Sequence, residues 1–231
     1  MASQQDRHVV YVIPAYNEGK VIARVLQDLQ REGAPGTPVV VDDCSADDTS
    51  ARARSAGAVV LRHLVNRGQG AALQTGFDAA VKLGADYVIT YDADGQHTPA
   101  DTHVMLDALD ESGADIALGS RFLGRTSNMP TSRRLLLRAA LLFTRVVSRI
   151  QVTDTHNGFR AIRTSVLPKL RISEDRMAHA SELLDLIAAE QIKYIEVPCH
   201  IRYTDHSMQK GQRWHAALPI AFDFLLGRMM R

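Results

Sequence analysis

Apolar residues recur along this chain in two alternating rhythms. Val9–Ile13 is a short β-branched run that stops at Pro14, which predicts a buried strand. Val21, Ile22, Val25, Leu26 and Leu29 then repeat at helical spacing until Gly33. Val39–Val41 predicts a second strand ending in Asp42-Asp43, followed by a short helix capped by Asp47 or Asp48 and running to Gly57. A third strand is expected at Val59–Leu61, a helix at Gly70–Leu83, a fourth strand at Tyr87–Tyr91 and a fifth at Ile116–Leu118. Between the last two, Pro99 stands where a first helical residue belongs, and that helix runs to Ser112.

Alternating strand and helix predicts an α/β fold, with a mostly parallel, Rossmann-like sheet and helices on both faces. Ligands bind beyond the carboxyl ends of such strands. Four polar clusters fall there: Asn17-Glu18 after strand one, Asp42-Asp43 after two, Asn66 to Gly70 after three, and Asp92 to Gln96 after four. Four clusters on one edge predict one site, with Asp43, Asp92 and Asp94 gathered round one divalent ion. Beyond residue 120 the rhythm changes. A helix is expected at Arg134–Ile150, a polar turn at His156–Arg160, a helix at Met177–Glu190 and a strand at Tyr194–Val197. Residues 1–206 read as one catalytic domain. Residues 207–231 read as a basic and apolar tail, in which Leu218–Leu226 is too short to cross a bilayer and either rests at an interface or packs on the domain.

Composition narrows the choice of partners. A formal net charge of +1 over 231 residues argues against a general polyanion binder, so no nucleic acid partner is expected. The local picture differs: Ile116 to Thr153 contains no Asp or Glu but carries Arg121, Arg125, Arg133, Arg134, Arg138, Arg145 and Arg149. In a helix, Arg134, Arg138, Arg145 and Arg149 fall within a stripe of roughly 60°. Such a face is either solvated or set against an anionic membrane surface or lipid phosphate. The two cysteines, Cys44 and Cys199, have no metal or disulfide spacing. With no apolar leader and no spanning run, the expected location is cytoplasmic, peripheral at the cytoplasmic face of a membrane.

Asp92-Ala93-Asp94 follows a buried strand. If the chain stays extended, residues i and i+2 share a side, and Gln96 continues the alternation. Two carboxylates and an amide oxygen suit Mg²⁺ or Mn²⁺ holding a diphosphate. Asn66-Arg67-Gly68-Gln69-Gly70 opens a helix, where glycines admit a close ligand and the N-terminus favours an anion. A tight turn between strand and helix is the plainer reading of the same residues. Arg121, on the same edge, has the fork geometry for a phosphate. Most of the histidines read as surface or hydrogen-bonding residues, and His156 alone merits a test.

The runs Ile13-Pro14-Ala15-Tyr16-Asn17-Glu18, Val41-Asp42-Asp43-Cys44-Ser45, Asn66 to Gly70 and Asp92-Ala93-Asp94-Gly95-Gln96-His97 resemble the family-2 inverting glycosyltransferases of GT-A fold. The resemblance implies a nucleotide-sugar donor, GDP- or UDP-linked, with Pro14, Tyr16, Glu18 and Asp43 against the nucleoside. Gly68 and Gly70 would border the donor, and Asp92, Asp94 and Gln96 would surround the metal. Cys44 departs from the family, which more often has Gly there, and reads as a buried small thiol. Gly119-Ser120-Arg121-Phe122, Pro130 with Arg133, and Asp154 to Arg160 are similar to the dolichyl- and polyprenyl-phosphate sugar synthases. By that likeness Arg121 and Arg133 would hold a polyprenyl phosphate acceptor, and Asp154 and Asn157-Gly158-Phe159 would shape the sugar site. Arg202 and Lys210, spaced differently from the synthases, are the weaker diphosphate contacts. Without the membrane helices of some relatives, a membrane-protein helper would be useful.

The sequence leaves two kinds of acceptor open. A phosphate is already anionic and needs no general base, whereas a sugar hydroxyl needs a carboxylate, for which Asp154 and Glu182 are the candidates. A nucleotidyltransferase would open with a basic glycine-rich loop after strand one, where this chain has Pro14-Ala15-Tyr16. A non-catalytic scaffold would not need Asp92, Asp94 and Gln96.

Overall fold

The computed structural model describes residues 7–124, 126–127, 150–155, 157–175 and 178–202. In chain order the elements are β1 (Val9–Ala15), α1 (Ile22–Glu32), β2 (Thr37–Asp42), α2 (Thr49–Ser55), β3 (Val59–Arg62), α3 (Gln69–Lys82), β4 (Tyr87–Thr90), α4 (Asp101–Ser112) and β5 (Ile116–Ser120). They continue with β6 (Thr126–Ser127), β7 (Arg160–Arg163), a 3-10 turn (Thr164–Lys169), α5 (His179–Ala189), β8 (Tyr194–Pro198) and β9 (Ile201–Arg202).

Seven strands form one sheet in the order β3-β2-β1-β4-β7-β5-β8. All pairings are parallel except those of β7, which runs against both β4 and β5. From β1 the chain moves outward to β2 and β3, then returns to place β4 on the other side of β1. That reversal opens a crevice between the ends of β1 and β4, where α/β sheets bind ligands. β6 and β9 form a separate two-stranded pair.

Each face of the sheet carries its own core. On one face α1 and α4 bury Ile22, Leu26, Met105, Leu106 and Leu109 against Tyr11, Ile13, Ile89 and Phe159. On the other, α3 and α5 bury Leu73, Phe77, Leu183 and Ile187 against Val10, Val12, Val88 and Ile162. Strands buried on both faces read as continuous apolar runs, so Val9–Ile13 shows no alternation. Helix α3 lies close on the sheet because of Gly76: a Cβ there would stand 2.1 Å from Val12 Cγ1. Val12 is fully buried and cannot swing aside. Gly76→Ala is therefore expected to destabilise the fold by about 1–2 kcal/mol, overpacking outweighing the gain of roughly 1 kcal/mol in helix propensity. Urea unfolding measures this, and a stabilised variant would contradict the packing account.

The first five strands and the helices between them fall where the apolar rhythm predicts. Three features depart from expectation. The expected polar turn at His156–Arg160 gives way at Arg160 to β7, inserted at the middle of the sheet. Its sequence, Arg-Ala-Ile-Arg, has charged ends and no apolar run, so neighbouring strands decide its state. The Asp92–Asp94 segment is a turn rather than an extension of β4, which ends at Thr90. Cys44 is half-exposed, not buried. It lies at φ 63, a left-handed conformation that glycine adopts without strain. The expected helix at Arg134–Ile150 lies outside the described residues except at its last position, and the tail from residue 207 lies wholly outside, as do Arg133, His156 and Lys210. Among the described residues, no helix is long and apolar enough to cross a membrane.

Candidate active site

The loops after β1 and β2 are knitted together before any ligand is considered. The Asn17 backbone N–H donates to Ser45 Oγ (2.9 Å), Glu18 N–H to Thr49 Oγ1 (2.8 Å) and Gly19 N–H to Asp47 Oδ2 (3.0 Å). Asp42 is fully buried and accepts from Ser45 N–H and the Ser50 hydroxyl, tying the loop to α2. Pro14 lies within β1 opposite Val41, and Tyr16 stands 49% exposed just beyond the strand.

Asp43 takes a different place from the one expected. Its carboxylate accepts from Arg67 N–H (2.9 Å) and Gly68 N–H (2.7 Å), and His63 Nδ1 lies 2.7 Å from Oδ1. Gly68, at φ 107, turns the chain so that these amides face the carboxylate. The anion expected at the glycine loop is thus supplied internally, by Asp43 itself. At the N-terminus of α3, the Gly70 and Ala71 N–H groups donate to the Asp175 carbonyl (2.8 and 3.2 Å). Asp43 does not join a three-carboxylate ion site: among the described residues no group of three or more His, Cys, Asp or Glu side chains is gathered that way. The loop that Asp43 holds nonetheless reaches the acidic cluster, for Gln69 Nε2 lies 3.4 Å from Asp92 Oδ1.

Asp92 and Asp94 converge through a turn. Gly95 lies at φ 73, and Gln96 N–H donates to Asp94 Oδ1 (3.0 Å), closing an Asx turn. The bend ends the strand alternation and brings His97 back onto Asp92, with Nε2 3.0 Å from Oδ2. His97 is buried, packed on Phe159 and Tyr91. Sequence reading missed this role because it needs a reversal at Gly95 that spacing does not reveal. His63 was missed in the same way.

The electrostatics follow from the geometry. Burial and the neighbouring charge of Asp92 push the Asp94 carboxyl up to about 6, and Glu18 adds to the repulsion. Burial opposes ionisation of Asp92 too, but the His97 hydrogen bond, with His97, Arg160 and His179 nearby, holds it below the ordinary carboxylate range. Asp92 still keeps 30% of its side chain accessible. Glu18, after β1, and Asp92 and Asp94, after β4, thus lie close enough for their charges to interact. Paired carboxylates fit a divalent ion whose remaining ligands come from an amide oxygen such as that of Gln96 or from substrate oxygens.

On the other side of the sheet centre, Arg121 is buried at the end of β5. Its Nε donates to Asp154 Oδ2 (2.6 Å) and its backbone N–H to the same oxygen (3.1 Å). Asn157 is buried as a clasp: Nδ2 donates to the Gly119 carbonyl (2.8 Å) and meets Cys199 Sγ (2.9 Å), while Oδ1 accepts from Phe159 N–H (3.2 Å). Gly158 faces the acidic cluster, since a Cβ there would come within 2.8 Å of both Asp92 oxygens. Glu182 lies in α5 and accepts from the Ser173 and Glu174 N–H groups (3.1 and 2.8 Å), ordering the loop that carries Asp175. The backbone of Ile201 bridges that of His97, which sets Arg202 one residue from the acidic loop.

A mostly parallel sheet with helices on both faces and paired carboxylates at its switch point is the GT-A arrangement of a glycosyltransferase. Residues 11–171 match the glycosyl transferase family 2 profile, and the chain belongs to that family. It is 29% identical to the UDP-N-acetylglucosamine–dolichyl-phosphate N-acetylglucosaminyltransferase of Methanococcus voltae, over 97% of each chain. It is 35% identical to the undecaprenyl-phosphate mannosyltransferase of Micrococcus luteus, over 69% of this chain and 68% of that one. Among solved structures, it resembles glucosyl-3-phosphoglycerate synthase from Mycobacterium tuberculosis in complex with Mn²⁺, UDP and phosphoglyceric acid. The TM-score is 0.72 and the identity 21%, covering 97% of this chain and 78% of the other.

Proposed function

We propose that this glycosyltransferase moves a sugar from a GDP- or UDP-linked donor to a polyprenyl phosphate, using Mg²⁺ or Mn²⁺ at Asp92 and Asp94. A divalent ion there supplies counter-charge to the departing diphosphate. His97 fixes the Asp92 carboxylate, and the Asx turn at Asp94 orients its partner. Pro14, Tyr16 and Glu18 border the nucleoside side. Asp43 acts there through the loop it holds, keeping Gly68 and Gln69 beside Asp92. Arg121 and Asp154 stand on the acceptor side, with Arg133 as a further acceptor contact and Arg202 and Lys210 as diphosphate contacts.

The choice of a phosphate acceptor rests on one observation: both carboxylates that a hydroxyl acceptor would need as a base are already engaged. Asp154 pairs with Arg121 at 2.6 Å, and Glu182 caps the loop at Ser173 and Glu174. A phosphate acceptor carries its own negative charge near neutral pH and attacks without losing a proton to the protein. Binding, alignment and charge neutralisation then account for catalysis. The relatives that act on dolichyl and undecaprenyl phosphate support the same acceptor. The acid-free arginine block supports a place at an anionic membrane face.

Nucleoside diphosphate release from GDP-mannose, UDP-glucose and UDP-N-acetylglucosamine tests the reading. Release is expected to require both the divalent ion and a short polyprenyl phosphate. Transfer to a free oligosaccharide, with none to polyprenyl phosphate, would overturn it.

A further inference from the structure

Arg160 opens β7 at the middle of the sheet. It is paired in register with Thr90 of β4 on one side and Leu118 of β5 on the other. Thr90 stands two residues before Asp92, and Leu118 three before Arg121. The side chain is 3% exposed. Among the described residues its guanidinium makes no hydrogen bond and no ion pair. The carboxylates nearest in charge are Asp92 and Asp154, and each has another partner: His97 at 3.0 Å and Arg121 at 2.6 Å. A guanidinium carries five N–H donors, and burying them without acceptors is unfavourable. Burial lowers its pKa to about 10, outweighing the pull of Asp92 and Asp154, yet leaves it charged at neutral pH. The fold thus places a cation without a hydrogen-bonded partner among the described residues between its donor side and its acceptor side.

The chemistry of the two sides decides what this cation serves. The donor diphosphate would take its counter-charge from a divalent ion held by Asp92 and Asp94. Arg121 is tied to Asp154, so that pair brings no net charge to an acceptor. A phosphate monoester arriving between them needs a cation not already spent on the protein. We propose that Arg160 binds the anionic oxygen of the acceptor phosphate and steers it toward the sugar. This inference rests on the phosphate-acceptor reading above.

The test compares wild type with Arg160→Met, which keeps length and removes charge, and with Arg160→Lys, which keeps charge and removes the fork. Each is assayed with the active nucleotide sugar and one of two phosphates: a short polyprenyl phosphate in detergent, or soluble glycerol 3-phosphate. Arg160→Met is expected to raise the acceptor KM by about tenfold to a hundredfold, as for loss of a charge-assisted hydrogen bond. The donor KM and the affinity for nucleoside diphosphate with Mn²⁺ are expected to stay within about twofold. Arg160→Lys recovers part of the acceptor KM. The melting temperature of Arg160→Met is expected at or above that of wild type, because the lost group is a buried charge without a contact partner. A purely structural role for Arg160 would lower it. An unchanged acceptor KM, or an equal loss of donor affinity, would overturn the inference while leaving the acceptor reading intact. Wild type inactive on both phosphates would end both. The soluble arm alone active would keep the phosphate contact and remove the lipid.

Discussion

Asp94→Asn removes transfer activity by a factor of about 10³ or more, in line with losing several kcal/mol of charge stabilisation at the leaving diphosphate. The fold survives the change and gains from it when metal is absent. The Asp94 carboxyl is pushed up to about 6 by burial and by Asp92, so the folded state favours the protonated group. A group raised in this way contributes stability at acid pH and loses it as pH climbs from its ordinary value of 3.8 through about 6. Asparagine stands for the neutral form at every pH. The variant's melting temperature, measured without metal, is therefore expected to match wild type at low pH and exceed it above pH 6. Mn²⁺ reverses the order, because only wild type gains from binding the ion. Metal affinity of wild type rises with pH through the same window, as binding expels the proton. Near-normal turnover in the variant would remove the ion from Asp94, whatever the melting curves show.

Asp43→Ala has the second largest expected effect, and it is one of stability. The carboxylate holds Arg67 N–H, Gly68 N–H and His63 from within the fold, and it is 3% exposed. Removing it strands these donors, at about 1–3 kcal/mol each before the loop relaxes, so a net loss of about 3 kcal/mol is expected. Asp43→Asn costs less, since its one carbonyl oxygen still accepts. Hydrogen exchange at the Arg67 and Gly68 amides reads the cause directly: protection falls there before it falls in β1. Unaltered protection would show that the loop holds itself. The donor KM rises alongside, as Gln69 loses its place beside Asp92.

The apolar rhythm made the sheet legible from β1 to β5, because strands covered on both faces must be continuously hydrophobic. It also placed the acidic clusters at one rim, since strand direction follows from the helical crossovers. The chemistry within that rim was less legible. Asp43 and Asp94 look alike in sequence, each an aspartate just past a strand. One is consumed by backbone amides and the other faces its neighbour across a turn. That distinction depends on the φ values of Gly68 and Gly95 and on the return of His97, none of which a spacing encodes. Arg121 and Asp154 were read as two site residues but are bonded to one another across 33 positions. β7 was hidden for a related reason: its four residues take their state from β4 and β5.

The insertion of β7 has a wider consequence. The chain leaves the sheet after β5 at Ser120 and re-enters between β4 and β5 at Arg160. Both ends of this excursion are thereby clamped to a common frame beside β4. Segments of differing length and composition can be exchanged between the two anchor points with Asp92 and Asp94 left in register. If Arg121 and Arg133 hold the acceptor, as proposed, a lineage using this scaffold can retarget what receives the sugar by rewriting one contiguous stretch of gene.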